Sequence, residues 1–249
     1  MSILHIQNVT KSFGTLRVVD DVSIVLDQGD NLAIIGESGC GKTTLAKMIM
    51  GLTPPDAGYI KAEAYSLQMV FQDPNQSLDP LWNVRGILKE ALWRETWKGT
   101  VPWNTRGQPP STSIHQEKLE KMLSSVGLSA EVLERFPHEF SGGERQRIAI
   151  ARALLASPKV LVLDEAVSAL DTLVQKQIMD LLKKLKQDFN LTYIFISHNL
   201  RLVGNFSDKI VVMHQGKIVE EGQVKTVLHS PKHPYTQQLL QAAFFTNFK

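Results

Sequence analysis

Residues 36–44 read GESGCGKTT, a fit to G-x-x-x-x-G-K-[ST], and they stand between the apolar run Leu32 to Ile35 and the helix-friendly TTLAKMIMGL. A short buried strand, a glycine-rich turn and a helix in that order bring successive backbone N–H groups together in front of a helix N-terminus, where the macrodipole favours an anion. Lys42 adds a point charge at that place, and the Thr43 hydroxyl is a hard-oxygen ligand for Mg²⁺. The competing reading is a glycine-rich turn with no ligand; the flanking strand and helix favour the phosphate loop.

At 249 residues the chain suffices for one large α/β domain, or one domain with an inserted subdomain, with a full core. A hydrophobic share of 43% and a charged share of 21% are ordinary for a globular protein. The net charge of +2 implies no general attraction to nucleic acid or to a membrane surface, so no nucleic-acid partner is expected. The start, MSILHIQNVTKSFG, alternates like a strand and lacks the basic flank and long apolar core of a signal peptide. No uninterrupted apolar segment approaches the roughly 18 residues that span a bilayer, so any membrane role is expected to be peripheral. The single cysteine, Cys40, excludes an intramolecular disulfide and any site of several thiolates, and it fits a reducing cytosol.

Residues 3–9 and 22–26 read as strands around a turn-rich Lys11 to Thr15, and apolar runs recur at Leu67 to Phe71, Val160 to Leu163, Tyr193 to Ile196 and Ile210 to Met213. Helical patterns such as 174–187 lie between some of them. The alternation predicts an α/β fold with a mostly parallel sheet covered by helices. From Leu81 to Phe136 the pattern turns helical, at 83–97 and 115–126, around the polar stretch KGTVPWNTRGQPPSTS, which reads as a loop. All four tryptophans, Trp82, Trp93, Trp97 and Trp103, fall in this region. Either they fill the core of a small helical subdomain or some stand exposed as partner anchors.

The run VLVLDEAVSALD sets Asp164 and Glu165 at the end of an apolar strand, and YIFISHN repeats the pattern with His198. In an open α/β sheet ligands bind beyond the carboxyl ends of the strands, so these groups can meet the phosphates of the loop. One carboxylate there can hold the Mg²⁺ shell and the next can orient and deprotonate an attacking water, while an imidazole can bridge γ-phosphate and water.

With GESGCGKTT, FQDP, FSGGERQR, VLVLDE, the ALD turn of residues 169–171 and ISH in that order, the chain resembles an ATP-binding-cassette ATPase over nearly its whole length. The resemblance implies ATP and Mg²⁺ as ligands and gives each motif a task. Phe13 would stack on adenine, where the family usually has tyrosine. Gly36, Glu37, Ser38, Gly39, Cys40, Gly41, Lys42, Thr43 and Thr44 would cradle the triphosphate. Thr43 and Gln72 would be Mg²⁺ ligands, with Asp164 acting through water. Glu165 would be the general base and His198 the γ-phosphate switch. Ser141, Gly142 and Gly143, followed by Glu144, would close over ATP held by a second ATPase subunit. The fold implied is a P-loop NTPase with a mixed, mostly parallel core sheet, N-terminal antiparallel strands and an inserted helical subdomain. Residues 1–80 and 157–230 would form the core, 81–156 the helical signature part and 231–249 a tail helix.

A finer match narrows the expectation. FQDPNQSLDP, RFPHEFSGGERQRIAIARAL and the tail HSPKHPYTQQLL are similar to the ATPases of oligopeptide, dipeptide and nickel importers. That resemblance implies a subunit on the cytoplasmic face of the membrane working with a second, different ATPase, two membrane-spanning permease subunits and an extracytoplasmic solute-binding protein. Cargo would be peptide, nickel or a metal chelate. The alternatives are an exporter's ATPase or a cassette ATPase without a transport role. Two departures stand out. Glu144 occupies a position more often Gln in the family, bringing negative charge toward a triphosphate. Ala166-Val167 replaces the usual Pro-Thr after the general base, which frees a segment that helps orient the ALD turn.

Overall fold

Three strands, β1 (Ser2–Phe13), β2 (Leu16–Asp27) and, later in the chain, β4 (Ala57–Ala62), make an antiparallel sheet in the order β2-β1-β4. The computed structural model describes residues 1–62, 67–74, 77–97 and 112–245, with only the backbone of 93–97, 112–115 and 244–245. β1 and β2 run longer than the sequence suggests: Lys11 to Phe13 stay in the strand and only Gly14-Thr15 turns. The pairing is interrupted by irregularities, with left-handed backbone at Asn8 and Asp21, whose side chains join at 2.8 Å.

The second sheet has the order β5-β6-β7-β3-β8-β9. Its members are β3 (Asn31–Ile35), β5 (Leu67–Val70), β6 (Val160–Asp164), β7 (Thr192–Ile196), β8 (Lys209–His214) and β9 (Lys217–Gln223). β5, β6, β7, β3 and β8 are parallel, and β9 turns back antiparallel on β8. Every residue of β3, β6 and β7 is buried, which is why these strands read as continuous apolar runs rather than alternating ones. The period of two survives as a division between faces. Ala33, Ile35, Leu161, Leu163, Tyr193 and Phe195 enter one core, and Leu32, Ile34, Val160, Val162, Ile194 and Ile196 enter the other, beneath the antiparallel sheet. β4 and β9 were not anticipated. Both are mostly exposed edge strands without an apolar run.

Helices cover the sheet: α1 (Lys42–Ile49), α2 (Val84–Trp97), α3 (Thr112–Ser125), α4 (Gly142–Leu155), α5 (Thr172–Phe189), α6 (Leu200–Phe206), α7 (Val224–His229) and α8 (Pro234–Phe245). α5 has the clearest helical pattern, burying Ile178, Met179, Leu181, Leu182 and Leu185; Asp171 caps its start and Asn190 ends it in the left-handed conformation. Leu88, Leu92, Leu119, Leu123, Ile148 and Ala151 pack α2, α3 and α4 together. No tryptophan belongs to that described core. Trp82 lies half exposed, while the Trp93 and Trp97 side chains and all of Trp103 fall outside the described residues, as does most of the polar stretch the sequence reads as a loop.

Candidate active site

β3, β5, β6 and β7 end on the same edge of the parallel sheet, so residues 36–44, Gln72, Asp164-Glu165 and His198 are all delivered there by strand carboxyl ends. Gly41 caps α1 at φ 108°, and a Cβ on it would lie 2.3 Å from the Val18 carbonyl oxygen. Only glycine fits both the backbone angle and the approach of β2. The Lys42 ammonium is buried and folds back over the loop, donating to the carbonyls of Gly36 at 2.9 Å and Glu37 at 2.7 Å. Glu37, Ser38 and Gly39 form an exposed arch. Cys40 is buried, and burial pushes its thiol up despite the nearby Lys42 charge.

The Thr43 hydroxyl donates to Asp164 Oδ1 at 3.4 Å. Asp164 is buried, and its carboxyl is raised above the ordinary value by that burial first and by the Glu165 charge; Thr43 and Lys42 act in the other direction. These oxygens suit Mg²⁺, which takes one or two protein ligands together with phosphate and water. Among the described residues no cluster of three or more His, Cys, Asp or Glu forms a metal site made by the protein alone.

Glu165 holds a left-handed φ of 48°, and its N–H donates to the Ile196 carbonyl at 3.0 Å. A non-glycine residue in that region is costly and turns the side chain off the line of the strand. Its Oε1 lies 3.4 Å from His198 Nδ1. Behind it, Ser168 donates through both its N–H and its hydroxyl to the Glu165 carbonyl, each at 2.9 Å, and the Ser168 hydroxyl accepts from Gln72 Nε2 at 3.4 Å. Sequence reasoning missed Ser168; its place between the acid pair and the ALD turn was the available signal. Ala166 and Val167, each only 2% exposed, are packed into the core. The Gln175 amide donates to the carbonyls of Val167 and Leu170, each at 3.0 Å, so burial and this side chain hold the turn where a proline would.

Ser141 is the N-cap of α4, and the Glu144 carboxylate accepts from its N–H and its hydroxyl. These bonds hold the Glu144 carboxyl below the ordinary range. A Cβ on Gly143 would meet Val174 Cγ1 at 2.6 Å, so glycine lets α4 seat against the start of α5. Phe13 lies 54% exposed, with Lys11 Nζ 5.7 Å from its ring centroid. The fold thus gathers the phosphate loop, Thr43, Asp164, Glu165, His198 and, through Ser168, Gln72. Among the described residues no hydrogen bond or ion pair links Phe13 or Ser141–Glu144 to residues 36–44.

Residues 19–168 match the family model described as ABC transporter. The chain is 43% identical to a probable D,D-dipeptide transport ATP-binding protein of Escherichia coli K12, over 91% of this chain and 70% of that protein. It is 40% identical to an oligopeptide transport ATP-binding protein of Bacillus subtilis, over 97% of this chain and 78% of the relative. Among solved structures, an inward-facing putative metal-chelate type ABC transporter superposes with a TM-score of 0.79 at 27% identity, covering 98% of this chain and 90% of that one. No helix of the described residues is long and apolar enough to cross a membrane. Phosphate loop, paired carboxylates and signature helix on one α/β scaffold, together with these likenesses, place the chain in the ABC transporter family, as one of its ATP-hydrolysing, ATP-binding subunits.

Proposed function

We propose that this chain drives an importer of short peptides across the cytoplasmic membrane, acting as a peripheral subunit on the inner face. The observation that carries the reading is the identity of 43%, over 91% of the chain, to a D,D-dipeptide transport ATP-binding protein. A metal chelate or nickel as cargo is the second reading, favoured by the likeness to the putative metal-chelate type transporter. Its partners are a second and different ATPase subunit, two permease subunits and an extracytoplasmic solute-binding protein. Trp82, 48% exposed, lines a cleft of about 410 Å³ closed on another side by the Arg152–Glu90 pair, and Leu81, its neighbour in the chain, is 83% exposed, which supports a permease helix docking there.

In this reading 1–80 and 157–230 hold nucleotide, 81–156 presents the signature and 231–249 is a tail. Residues Gly36 to Thr44 wrap the triphosphate of ATP, with Lys42 exchanging the Gly36 and Glu37 carbonyls for phosphate oxygens. Thr43 and Gln72 would hold Mg²⁺, with Asp164 acting through water, and when bound the ion would supply positive charge to the phosphate oxygens. Glu165 takes the proton of the attacking water, and His198 orients the γ-phosphate toward it. Phe13 stacks on adenine. Ser141, Gly142 and Gly143 seal the ATP held by the second subunit, with Glu144 at its edge, so each glycine stretch serves a different nucleotide.

The test is reconstitution with the membrane subunits. A short peptide delivered by the binding protein should stimulate hydrolysis where nickel does not; the opposite pattern would exchange the two cargo readings. Glu165→Gln should keep MgATP binding, lose turnover and accumulate a closed pair by gel filtration. Undiminished turnover in that variant would remove Glu165 as the general base.

A further inference from the structure

The tail HSPKHPYTQQLL carries no group that the hydrolysis mechanism uses, yet Tyr235 reaches the phosphate loop. Its hydroxyl accepts the backbone N–H of Glu37 at 3.0 Å. Tyr235 lies at the start of α8 and is buried at 7% exposure. Its ring stacks on His214 at the end of β8, with centroids 3.9 Å apart and planes 29° from parallel. The segment before it is tied down from several sides. The Glu220 carboxylate accepts the N–H groups of Lys232 at 2.8 Å and His233 at 3.0 Å. The Tyr235 N–H donates to His233 Nδ1 at 3.1 Å, and the Gln237 amide donates to the Pro231 carbonyl at 3.0 Å. The hydroxyl therefore sits on a fixed support joined to β8 and β9.

Glu37 opens the exposed arch Glu37–Gly39. Its carbonyl is held by Lys42 Nζ at 2.7 Å and by the Cys40 N–H at 3.3 Å. When Lys42 turns to phosphate, the first of those bonds is given up. The Tyr235 bond comes from outside the loop and does not compete with phosphate for Lys42. We propose that Tyr235 is a positioning residue for ATP, fixing the Glu37 end of the phosphate loop so that less ordering remains to be done on binding. The inference rests on the reading of residues 36–44 as the ATP loop.

Tyr235→Phe keeps the ring and its stack on His214 and leaves the Glu37 N–H without its acceptor. One neutral hydrogen bond corresponds to about a three- to ten-fold loss of ATP affinity. The measurements are MgATP affinity of the full chain, KM and kcat of the assembled ATPase, and the thermal midpoint without nucleotide. The expected result is weaker binding and a raised KM, with kcat at saturation and the nucleotide-free midpoint unchanged. Glu37→Pro removes the donor itself, so adding Tyr235→Phe to that variant should weaken binding no further. Unchanged affinity in Tyr235→Phe overturns the inference, as does a full additional loss in the Glu37→Pro background. A drop in affinity matched by a drop in the nucleotide-free midpoint also overturns it, because Tyr235 then serves only packing. Lys42→Ala separates the two levels: if it leaves ATP binding intact, the reading of the loop itself fails, and if it abolishes binding while Tyr235→Phe does nothing, only this inference fails.

Discussion

The Glu144 carboxylate accepts the hydroxyl of Ser141 at 2.7 Å and the backbone N–H of the same residue at 2.8 Å. This reciprocal cap starts α4 well, but it occupies the signature serine's only hydroxyl proton and sets a negative charge beside it. In the proposed closed pair, a phosphate arriving from the partner's side would meet a donor already committed and a like charge. Glutamine at 144 retains an acceptor for the cap and removes the charge. Glu144→Gln is therefore expected to lower KM for ATP in the assembled transporter about two- to five-fold, the scale of a partly screened like-charge contact. An unchanged or raised KM would place the carboxylate out of reach of the partner's nucleotide.

Asp164 gives a prediction of opposite sign for stability and for function. Burial raises its carboxyl above the ordinary value in the folded chain. The neutral form is thus favoured by folding, and the folded state loses stability as pH rises from the ordinary carboxylate range through the raised value, with the whole penalty present above it. Asn carries no such penalty. Without nucleotide, Asp164→Asn should melt at the wild-type temperature or up to about 4 °C higher at pH 7, on the order of 1 kcal/mol for a chain of this size, and its midpoint should fall less than the wild type's between acid and neutral pH. The further stabilisation that Mg²⁺ adds to bound ATP should vanish. A lower midpoint at pH 7 would contradict the burial argument, and retained Mg²⁺ dependence would remove Asp164 from the metal shell.

The parallel core was legible because doubly covered strands cannot alternate: VLVLD and YIFI announce themselves as runs, and the acids and histidine that follow them fall at the sheet edge by topology. β4 and β9 were not legible for the converse reason, since AGYIKA and KIVEEGQ lie on exposed edges and carry no apolar signal. At the site, the residue types that do chemistry were readable from their motifs, and those that act through backbone groups were not. Ser168 reaches a carbonyl, Gln175 two carbonyls and Tyr235 an N–H. Backbone partners have no sequence identity, so position in the chain can draw notice to Ser168, between the acid pair and the ALD turn, but cannot say which backbone group it reaches. The left-handed φ of Glu165 is hidden in the same way, because its residue type does not suggest it.

Cys40 offers a probe of the loop. It lies in the stretch that the sequence reads as the phosphate loop; the fold buries it and pushes its thiol up. Labelling with a maleimide at pH 7 should be slow, because little thiolate is present and access requires the loop to open. The rate should climb about tenfold per pH unit and keep climbing past the ordinary thiol value of 9.0, since the folded pKa lies above it. MgATP should slow it further. Rates equal with and without MgATP would count against Cys40 lining the nucleotide loop.

Ser168 is the single described hydroxyl that touches both the Gln72 amide and the Glu165 carbonyl. Gln72 follows β5 and Glu165 follows β6, the neighbouring strand, so the Ser168 hydroxyl is a side-chain link between the two strand ends. Ser168→Ala deletes the hydroxyl but leaves the Ser168 N–H bond to Glu165 as the alanine N–H, and with it the turn. Loss of two half-exposed hydrogen bonds should cost stability no more than about 1 kcal/mol. Basal hydrolysis by the chain and its ATPase partner should therefore persist within about three-fold, since Glu165 keeps its backbone anchor at Ile196. The expected loss is in stimulation: with permease subunits, binding protein and peptide present, the increase in hydrolysis over the basal rate should fall by about two- to five-fold, on the scale of one modest hydrogen bond. Stimulation equal to wild type would show that Gln72 communicates with the hydrolytic carboxylate by a route that does not pass through Ser168.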